Sequence, residues 1–543
     1  MSSREDCDSG ELHPLKTWEE LIEWKEPSVN SDEIVNVKKL CSRASHHPPT
    51  YPNTLICHDM KGGYLEDRFY KGCGNKDAYR FYRWSGIDMF VYFSHSLVTI
   101  PPPGWINTAH QHGVKVLGTF ITEWDTGSAI CKKMLASKDS VANCVSQLVK
   151  IASYHSFEGW LINIENEIDP EQIGLLKDFV QRLTLGMKEA CPSAVVIWYD
   201  SVTIEGKLKW QNELNDLNRA FFDACNGIFL NYTWTDDHLK RSQEAAGERS
   251  SQVYVGLDVF GRNFYGGGKF NTFKAMEAAR AHNLSAAIFA QGWTYETQDN
   301  FVEAENRLWD SLAPYLAHHG PQCLPFRTSF CQGFGEKCFL RGKIVRNDPW
   351  HNLSNQHYQP LWSQEGDAKL SLVTCDAFSG GGCLSLTTAS TATVRLFVCG
   401  ISWRLALLVS VCYKWQGPVV PFSLLLHLGP TTCTEDVATI KRILPLQCEK
   451  YSDKHMDDNA HAERCAEMES GSSKIEKNDK NDVAEPLLVV DTKENDWTVK
   501  SFIIKEVEGC ELKQIDINLG GGSTLLIGEL HISNQCIKGD PSS

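Results

Sequence analysis

The segment Phe157-Glu-Gly-Trp-Leu-Ile-Asn-Ile-Glu165 sets an amide and a carboxylic acid, Asn163 and Glu165, two residues apart on an otherwise apolar run. In an extended strand, side chains two apart point the same way, about 6.5–7 Å from each other. The pair therefore faces one site. An unpaired buried carboxylate is costly, so the two polar groups form either a satisfied hydrogen-bond pair at a strand end or a working site. An acid can give up and recover a proton. An amide is a poor nucleophile, but it orients and polarises another amide through hydrogen bonds.

Two groups aimed at one place need a frame. Continuous apolar runs occur at Thr54–Asp59, Met89–His95, Val114–Thr122, Gly159–Glu165, Ala194–Ser201, Gly227–Trp234, Val253–Phe260 and Ser285–Trp293. Each fits a strand buried on both faces. Helical patterns lie between most of them. Glu171–Ala190 is the clearest, with Ile173, Leu176, Phe179, Val180, Leu183 and Met187 at spacings of three and four, behind an Asp169-Pro170 start. Phe270–His282 and Asn300–Leu316 also read as helices. Repeated βα units predict an α/β fold, a (β/α)8 TIM barrel over residues 51–320. The competing open, doubly wound sheet lacks a Gly-rich phosphate loop after its first strand.

Barrel enzymes carry their working residues at the C-terminal ends of the strands. The fourth predicted strand ends in the Asn163–Glu165 pair. The second offers Tyr92 and His95, and the third runs into Glu123-Trp124. The fifth gives Trp198-Tyr199-Asp200, and the sixth Asn231, Tyr232 and Trp234. The seventh gives Asp258 and Phe260, then Gly261-Arg-Asn263, and the eighth Gln291 and Trp293. Aromatic faces stack on sugar rings while acids and amides bind hydroxyls, so this rim predicts a carbohydrate cleft. Glycosidases usually set two carboxylates across the scissile bond. Here the partner of the acid is an amide. A substrate bearing a 2-acetamido group could supply the missing nucleophile: its carbonyl oxygen would attack the anomeric carbon and give an oxazoline.

After Pro321 short strand-like runs recur between Gly, Pro, Asn and Asp residues. They are Cys338–Val345, Leu370–Cys375, Cys383–Thr387, Val394–Cys399, Ala406–Tyr413, Phe422–Leu428, Leu487–Val490, Thr498–Ile504, Gln514–Leu519 and Thr524–Ile532. They predict an antiparallel β-sandwich over 321–543, interrupted at 451–485 by a polar, acidic stretch with the composition of a disordered insertion. Residues 1–50 are expected to pack on the barrel or to be partly flexible.

Bulk properties exclude several classes. A net charge of −15 disfavours nucleic acid and anionic membranes as partners. The start Met1-Ser-Ser-Arg-Glu-Asp-Cys-Asp lacks the basic and apolar regions of a secretory signal, which predicts a cytosolic protein. The most membrane-like run, Leu396–Val411, contains Arg404 and lies between Arg395 and Lys414, so it reads as two buried strands. The 20 cysteines follow no framework spacing and form no Cys-x-x-Cys pair, which predicts free thiols and no zinc site. Sequons at Asn231, Asn283 and Asn352 are expected to stay unmodified, Asn231 because it lies within a predicted core strand. Nothing in the sequence specifies an oligomeric state.

Six segments, in order, carry a family resemblance. They are Leu55-Ile-Cys-His-Asp-Met-Lys-Gly-Gly-Tyr64, Tyr92-Phe-Ser-His95, Gly118-Thr-Phe-Ile-Thr-Glu-Trp124, Gly159-Trp-Leu-Ile-Asn-Ile-Glu165, Trp198-Tyr-Asp-Ser201 and Val255-Gly-Leu-Asp-Val-Phe-Gly-Arg262. With them the chain resembles the cytosolic endo-β-N-acetylglucosaminidases of glycoside hydrolase family 85, strongly over about residues 50–315 and less sharply at Asn352-Leu-Ser and Gln359-Pro-Leu-Trp362. The resemblance implies hydrolysis of the β-1,4 bond in the N,N′-diacetylchitobiose core of N-glycans, free or on glycoproteins, without metal or organic cofactor. It also implies transfer of the glycan to an acceptor sugar in some members. By motif, Glu165 matches the general acid/base, Asn163 the residue that holds the acetamido group, and Tyr199 a tyrosine near that group. His95, Trp124, Asn231, Trp234, Asp258 and Trp293 are the expected substrate contacts. The single sandwich and the acidic insertion depart from the family pattern and leave the role of the C-terminal region open.

Two alternatives stand beside this reading. A family 18 chitinase-like hydrolase would carry an Asp-x-Glu pair within Asp-Gly-x-Asp-x-Asp-x-Glu. The run here is Glu158-Gly-Trp-Leu-Ile-Asn163-Ile-Glu165, without the two inner aspartates. An inactive glycan-binding protein would have no use for the proton donor Glu165.

Overall fold

The structure, a computed structural model, describes residues 10–27, 37–45, 47–48, 51–430, 440–446, 486–507 and 509–535. The expected insertion at 451–485 lies outside the described residues.

Eight parallel strands close into a barrel: β1 (Thr54–His58), β2 (Met89–Tyr92), β3 (Lys115–Glu123), β4 (Gly159–Glu165), β5 (Val195–Tyr199), β6 (Gly227–Leu230), β7 (Val253–Asp258) and β8 (Ser285–Phe289). Closure is direct: Ala286 of β8 stands opposite Thr54 of β1, and Met89 of β2 opposite Lys115 of β3. The continuous hydrophobic runs are explained by two cores. Alternate residues such as Leu55, Val91, Leu117, Ile121, Leu161, Ile197 and Phe229 fill the barrel interior. Their neighbours, among them Ile56, Phe90, Phe120, Ile162, Val196 and Leu257, face the surrounding helices. Asn163 and Glu165 continue the inward row of Leu161, which places them above the interior plug, at the C-terminal mouth.

Helices cover the barrel after β2 to β8, including Lys138–His155, Ile173–Ala190 and Phe301–Leu312. The connection from β1 to β2 has only the short turns Glu66–Arg68 and Trp84–Gly86. The C-terminal region fills that gap. Arg80 Nε donates to Gln332 Oε1 at 2.8 Å, Gln356 Nε2 donates to the Phe81 carbonyl at 3.0 Å, and Tyr82 is buried in the sandwich core. The described N-terminal residues also pack on the barrel: Leu12 and Leu21 are buried in the outer core, and Gln147 Nε2 donates to the Ile22 carbonyl at 2.7 Å.

Beyond the barrel, a seven-stranded sheet and a four-stranded sheet, both antiparallel, pack into a sandwich. The membrane-like run divides as expected into Ala392–Ile401 and Ala406–Gln416, one strand in each sheet. Among the described residues no helix is long and apolar enough to cross a membrane. The predicted strand Cys338–Val345 is instead a hairpin, Cys338–Leu340 and Lys343–Arg346, because Arg341 and Gly342 both take positive φ and turn the chain. The described cysteines are free thiols.

Candidate active site

Glu165 and Asn163 form the centre. Asn163 Nδ2 donates to Glu165 Oε1 at 3.2 Å. Asn163 is buried, and its Oδ1 has no donor. Burial raises the pKa of Glu165; the hydrogen bond from Asn163 opposes this, the Glu123 carboxylate adds to it, and His95 opposes it again. The net effect is a carboxyl group that holds its proton to higher pH than an exposed one.

Glu123 stands opposite Glu165 in the parallel pairing of β3 and β4. His95, after β2, brings Nδ1 within 3.1 Å of Glu123 Oε2, and this bond raises the imidazole pKa. Trp124 follows Glu123 at φ +53° and is 68% exposed. A bulky residue in the left-handed region is strained, and here the strain accompanies an indole held out at the rim. Asp59, at the end of β1, faces the same cluster; burial raises its pKa first of all, while His95 and Arg262 lower it and Glu123 raises it.

On the other side, Tyr199 of β5 is buried, and its hydroxyl donates to Asn231 Oδ1 at 2.9 Å. Burial, then the neighbouring Glu165 and Asp200, push its pKa well up. Trp210, 38% exposed, lies within hydrogen-bonding reach of the same hydroxyl. Tyr232 packs on the barrel interior between Tyr199 and Phe289, with ring centroids 6.4 and 5.3 Å away.

The expected contacts divide by position. His95 and Trp124 stand at the mouth beside Glu165. Asn231 lies behind Tyr199, with both ends of its amide engaged. Asp258 is buried and organises the loop after β7, accepting from the Phe260 and Arg262 backbone N–H groups and pairing with Arg262 Nε at 3.0 Å. Two of the expected contacts are buried in this structure. Trp234 is only 3% exposed, donates to the Gly256 carbonyl at 2.8 Å and stacks on Tyr265. Trp293 is 4% exposed and meets Phe270 edge-on at 5.0 Å. Both belong to the packing between sheet and helices.

Sequence reasoning missed Trp210 and Asn212 as site residues, because they sit on an irregular loop with no periodic signal. It placed Glu123 at the end of the third strand without a role of its own. The β3–β4 register gives Glu123 its significance, and a single strand read alone does not contain it. Among the described residues, no three His, Cys, Asp or Glu side chains group to hold a metal ion.

Comparison with known proteins identifies the family and the fold. A cytosolic endo-β-N-acetylglucosaminidase 2 of Arabidopsis thaliana is 50% identical over 325 residues, covering 59% of this chain and 46% of that protein. A cytosolic endo-β-N-acetylglucosaminidase of Danio rerio is 38% identical over 530 residues, covering 93% of this chain and 69% of that protein. The chain spans about half the length of most of the curated relatives it matches. Among solved structures, the glycoside hydrolase domain of Endo-D from Streptococcus pneumoniae R6 superposes with a TM-score of 0.72 at 19% identity, over 97% of this chain and 84% of that one, which shows a shared fold. Residues 64–338 match the family described as Glycosyl hydrolase family 85, and the chain belongs to that family.

Proposed function

We propose that this chain is an endo-β-N-acetylglucosaminidase that cleaves the β-1,4 bond in the N,N′-diacetylchitobiose core of N-glycans, with the substrate's own 2-acetamido group as nucleophile. The observation that carries the reading is the hydrogen bond between Asn163 and Glu165, in which burial raises the pKa of the acid and leaves the carbonyl oxygen of the amide without a donor. A 2-acetamido N–H is such a donor. Binding it to Asn163 Oδ1 would shift electron density onto the acetamido carbonyl oxygen and aim that oxygen at C1.

Glu165 gives its proton to the glycosidic oxygen as the C1–O bond breaks, and the acetamido oxygen closes on C1 to form the oxazoline in its protonated, oxazolinium form, the N–H staying on nitrogen and hydrogen-bonded to Asn163 Oδ1. The Glu165 carboxylate then takes a proton from water, whose oxygen attacks C1 and reopens the ring with net retention. A sugar hydroxyl in place of water gives glycan transfer. Tyr199 borders the acetamido group, with Trp124 and His95 at the rim for sugar rings and hydroxyls. The names of the relatives place them in the cytosol, and the proposal sets this chain there too, acting on free oligosaccharides and glycoproteins.

The test is incubation with a high-mannose glycopeptide and, separately, with chitin oligomers, followed by mass analysis. A single N-acetylglucosamine left on the peptide is expected. Cleavage of chitin oligomers alone would favour a chitinase, and no cleavage of either would favour a glycan-binding protein.

A further inference from the structure

The Tyr199 hydroxyl is part of a closed ring of hydrogen bonds. It donates to Asn231 Oδ1 at 2.9 Å. Asn231 Nδ2 donates to Asn212 Oδ1 at 2.8 Å, and that same oxygen accepts the Thr233 backbone N–H at 3.1 Å and hydroxyl at 2.8 Å. Asn212 N–H donates to Asp200 Oδ2 at 2.7 Å, and Gln211 N–H donates to the same oxygen at 3.0 Å. Asp200 follows Tyr199 directly in the chain, which closes the ring. Asn218 Nδ2 donates to its other oxygen at 3.0 Å.

The ring has a direction. A side-chain amide has a donating end and an accepting end, and the end that faces one neighbour is fixed by what the other end meets. Asn212 Oδ1 can only accept, so it draws the NH2 end of Asn231 and leaves the Asn231 carbonyl for Tyr199. Tyr199 then uses its one proton on Asn231, and its oxygen is left to accept, with the Trp210 indole N–H within reach. Asn212 stands at φ +59°, in the left-handed region that asparagine tolerates better than most residues. Asp200 holds the turn there through two backbone N–H groups. Burial pushes the Asp200 carboxyl up to about 6 despite these donors, so the bonds that keep it a carboxylate are integral to the turn.

We propose that Asn212 is a positioning residue for the Tyr199 hydroxyl, acting through the Asn231 amide. This rests on the reading of Tyr199 as a group bordering the reacting acetamido. The test is a double-mutant cycle on the full chain with the glycopeptide substrate. Asn212→Gly keeps the left-handed turn, since glycine adopts positive φ freely, and removes only the acceptor. Asn212→Asp keeps an acceptor oxygen. Tyr199→Phe removes the hydroxyl.

Expected results are a drop of about ten-fold in kcat for Asn212→Gly with KM nearly unchanged, recovery of most of kcat in Asn212→Asp, and no further loss when Asn212→Gly is added to Tyr199→Phe. Such non-additivity marks groups that act as a unit. An equal loss from Asn212→Gly in both backgrounds, an equal loss in the Asp and Gly variants, or no loss at all while Tyr199→Phe is impaired would overturn the proposal. If Tyr199→Phe is itself silent, the reading of Tyr199 falls first and the proposal with it.

Discussion

Glu123 and Glu165 end adjacent parallel strands in one cross-strand row, so two carboxylates stand side by side at the barrel mouth. Neighbouring strands lie about 4.8 Å apart, and like charges that close resist joint ionisation. His95 is bound to Glu123 and carries the opposite charge when protonated. Among the described residues, Asp59, Arg262, Tyr199 and Tyr232 are the further charged or titratable groups around the pair.

The pair predicts a signature in the pH profile. A general acid must hold its proton, so kcat/KM falls as pH rises through the pKa of Glu165. Glu123→Gln removes a charge that raises that pKa, so the alkaline limb should move to lower pH. His95→Asn removes a charge that lowers it, so the limb should move to higher pH. Profiles of kcat/KM against pH on a glycopeptide measure both, and coincident limbs in the three proteins would reject the electrostatic link.

Trp124 is the most exposed of the large apolar side chains at the mouth. Its indole has little to hold it in the free protein, so Trp124→Ala should leave the melting temperature unchanged. Loss of one stacking face is worth about 1 kcal/mol, which is roughly a five-fold rise in KM at constant kcat. Steady-state kinetics and a thermal melt decide it.

Gln356 joins the barrel to the C-terminal region with all four of its bonds inside the protein. Its Oε1 accepts from Trp84 Nε1 and Thr108 Oγ1, and its Nε2 donates to the carbonyls of Phe81 and Gln332. Gln356→Ala leaves these buried groups unpartnered, at a cost of about 2–4 kcal/mol. Denaturant unfolding should show the loss with the active-site residues untouched, and a stability equal to the parent would mean that the joint is not a brace.

Glu305 supplies a pH-dependent stability term. It is fully buried, and burial pushes its pKa up to about 7 against a usual 4.5, with Thr294 and the nearby arginines opposing. Because the folded pKa is the higher one, the stability of the neutral form is complete below about pH 4.5 and is lost as pH rises through about 7. Glu305→Gln cannot ionise. It should match the parent near pH 5 and exceed it by on the order of 3 kcal/mol near pH 8. Paired thermal melts at those two pH values check the sign.

Much of this was legible in the sequence, for identifiable reasons. Barrel strands buried on both faces leave continuous apolar runs, and the amide and acid that interrupt the run of β4 stand out against them. The rim aromatics were not separable. Trp124, Trp234 and Trp293 all follow strand ends, and only packing decides that Tyr265 and Phe270 cover the last two while nothing covers the first. The missing helix between β1 and β2 was also hidden, because its replacement, residues 332–356, lies some 250 positions away in the chain. The Asp200–Asn212–Asn231 ring joins a strand end, a loop and another strand end, and no local pattern encodes it.

The central claim is that Asn163 prepares the acetamido group and Glu165 moves the proton. Its most direct test is the activity of Asn163→Ala on two substrates: a natural glycopeptide and a preformed oxazoline of the same glycan. Nearly all glycopeptide hydrolysis should be lost, roughly 100-fold or more by analogy with the removal of a single transition-state hydrogen bond, while the oxazoline, which has already passed the step Asn163 serves, is still turned over. Glycopeptide cleavage at the parent rate would contradict the claim.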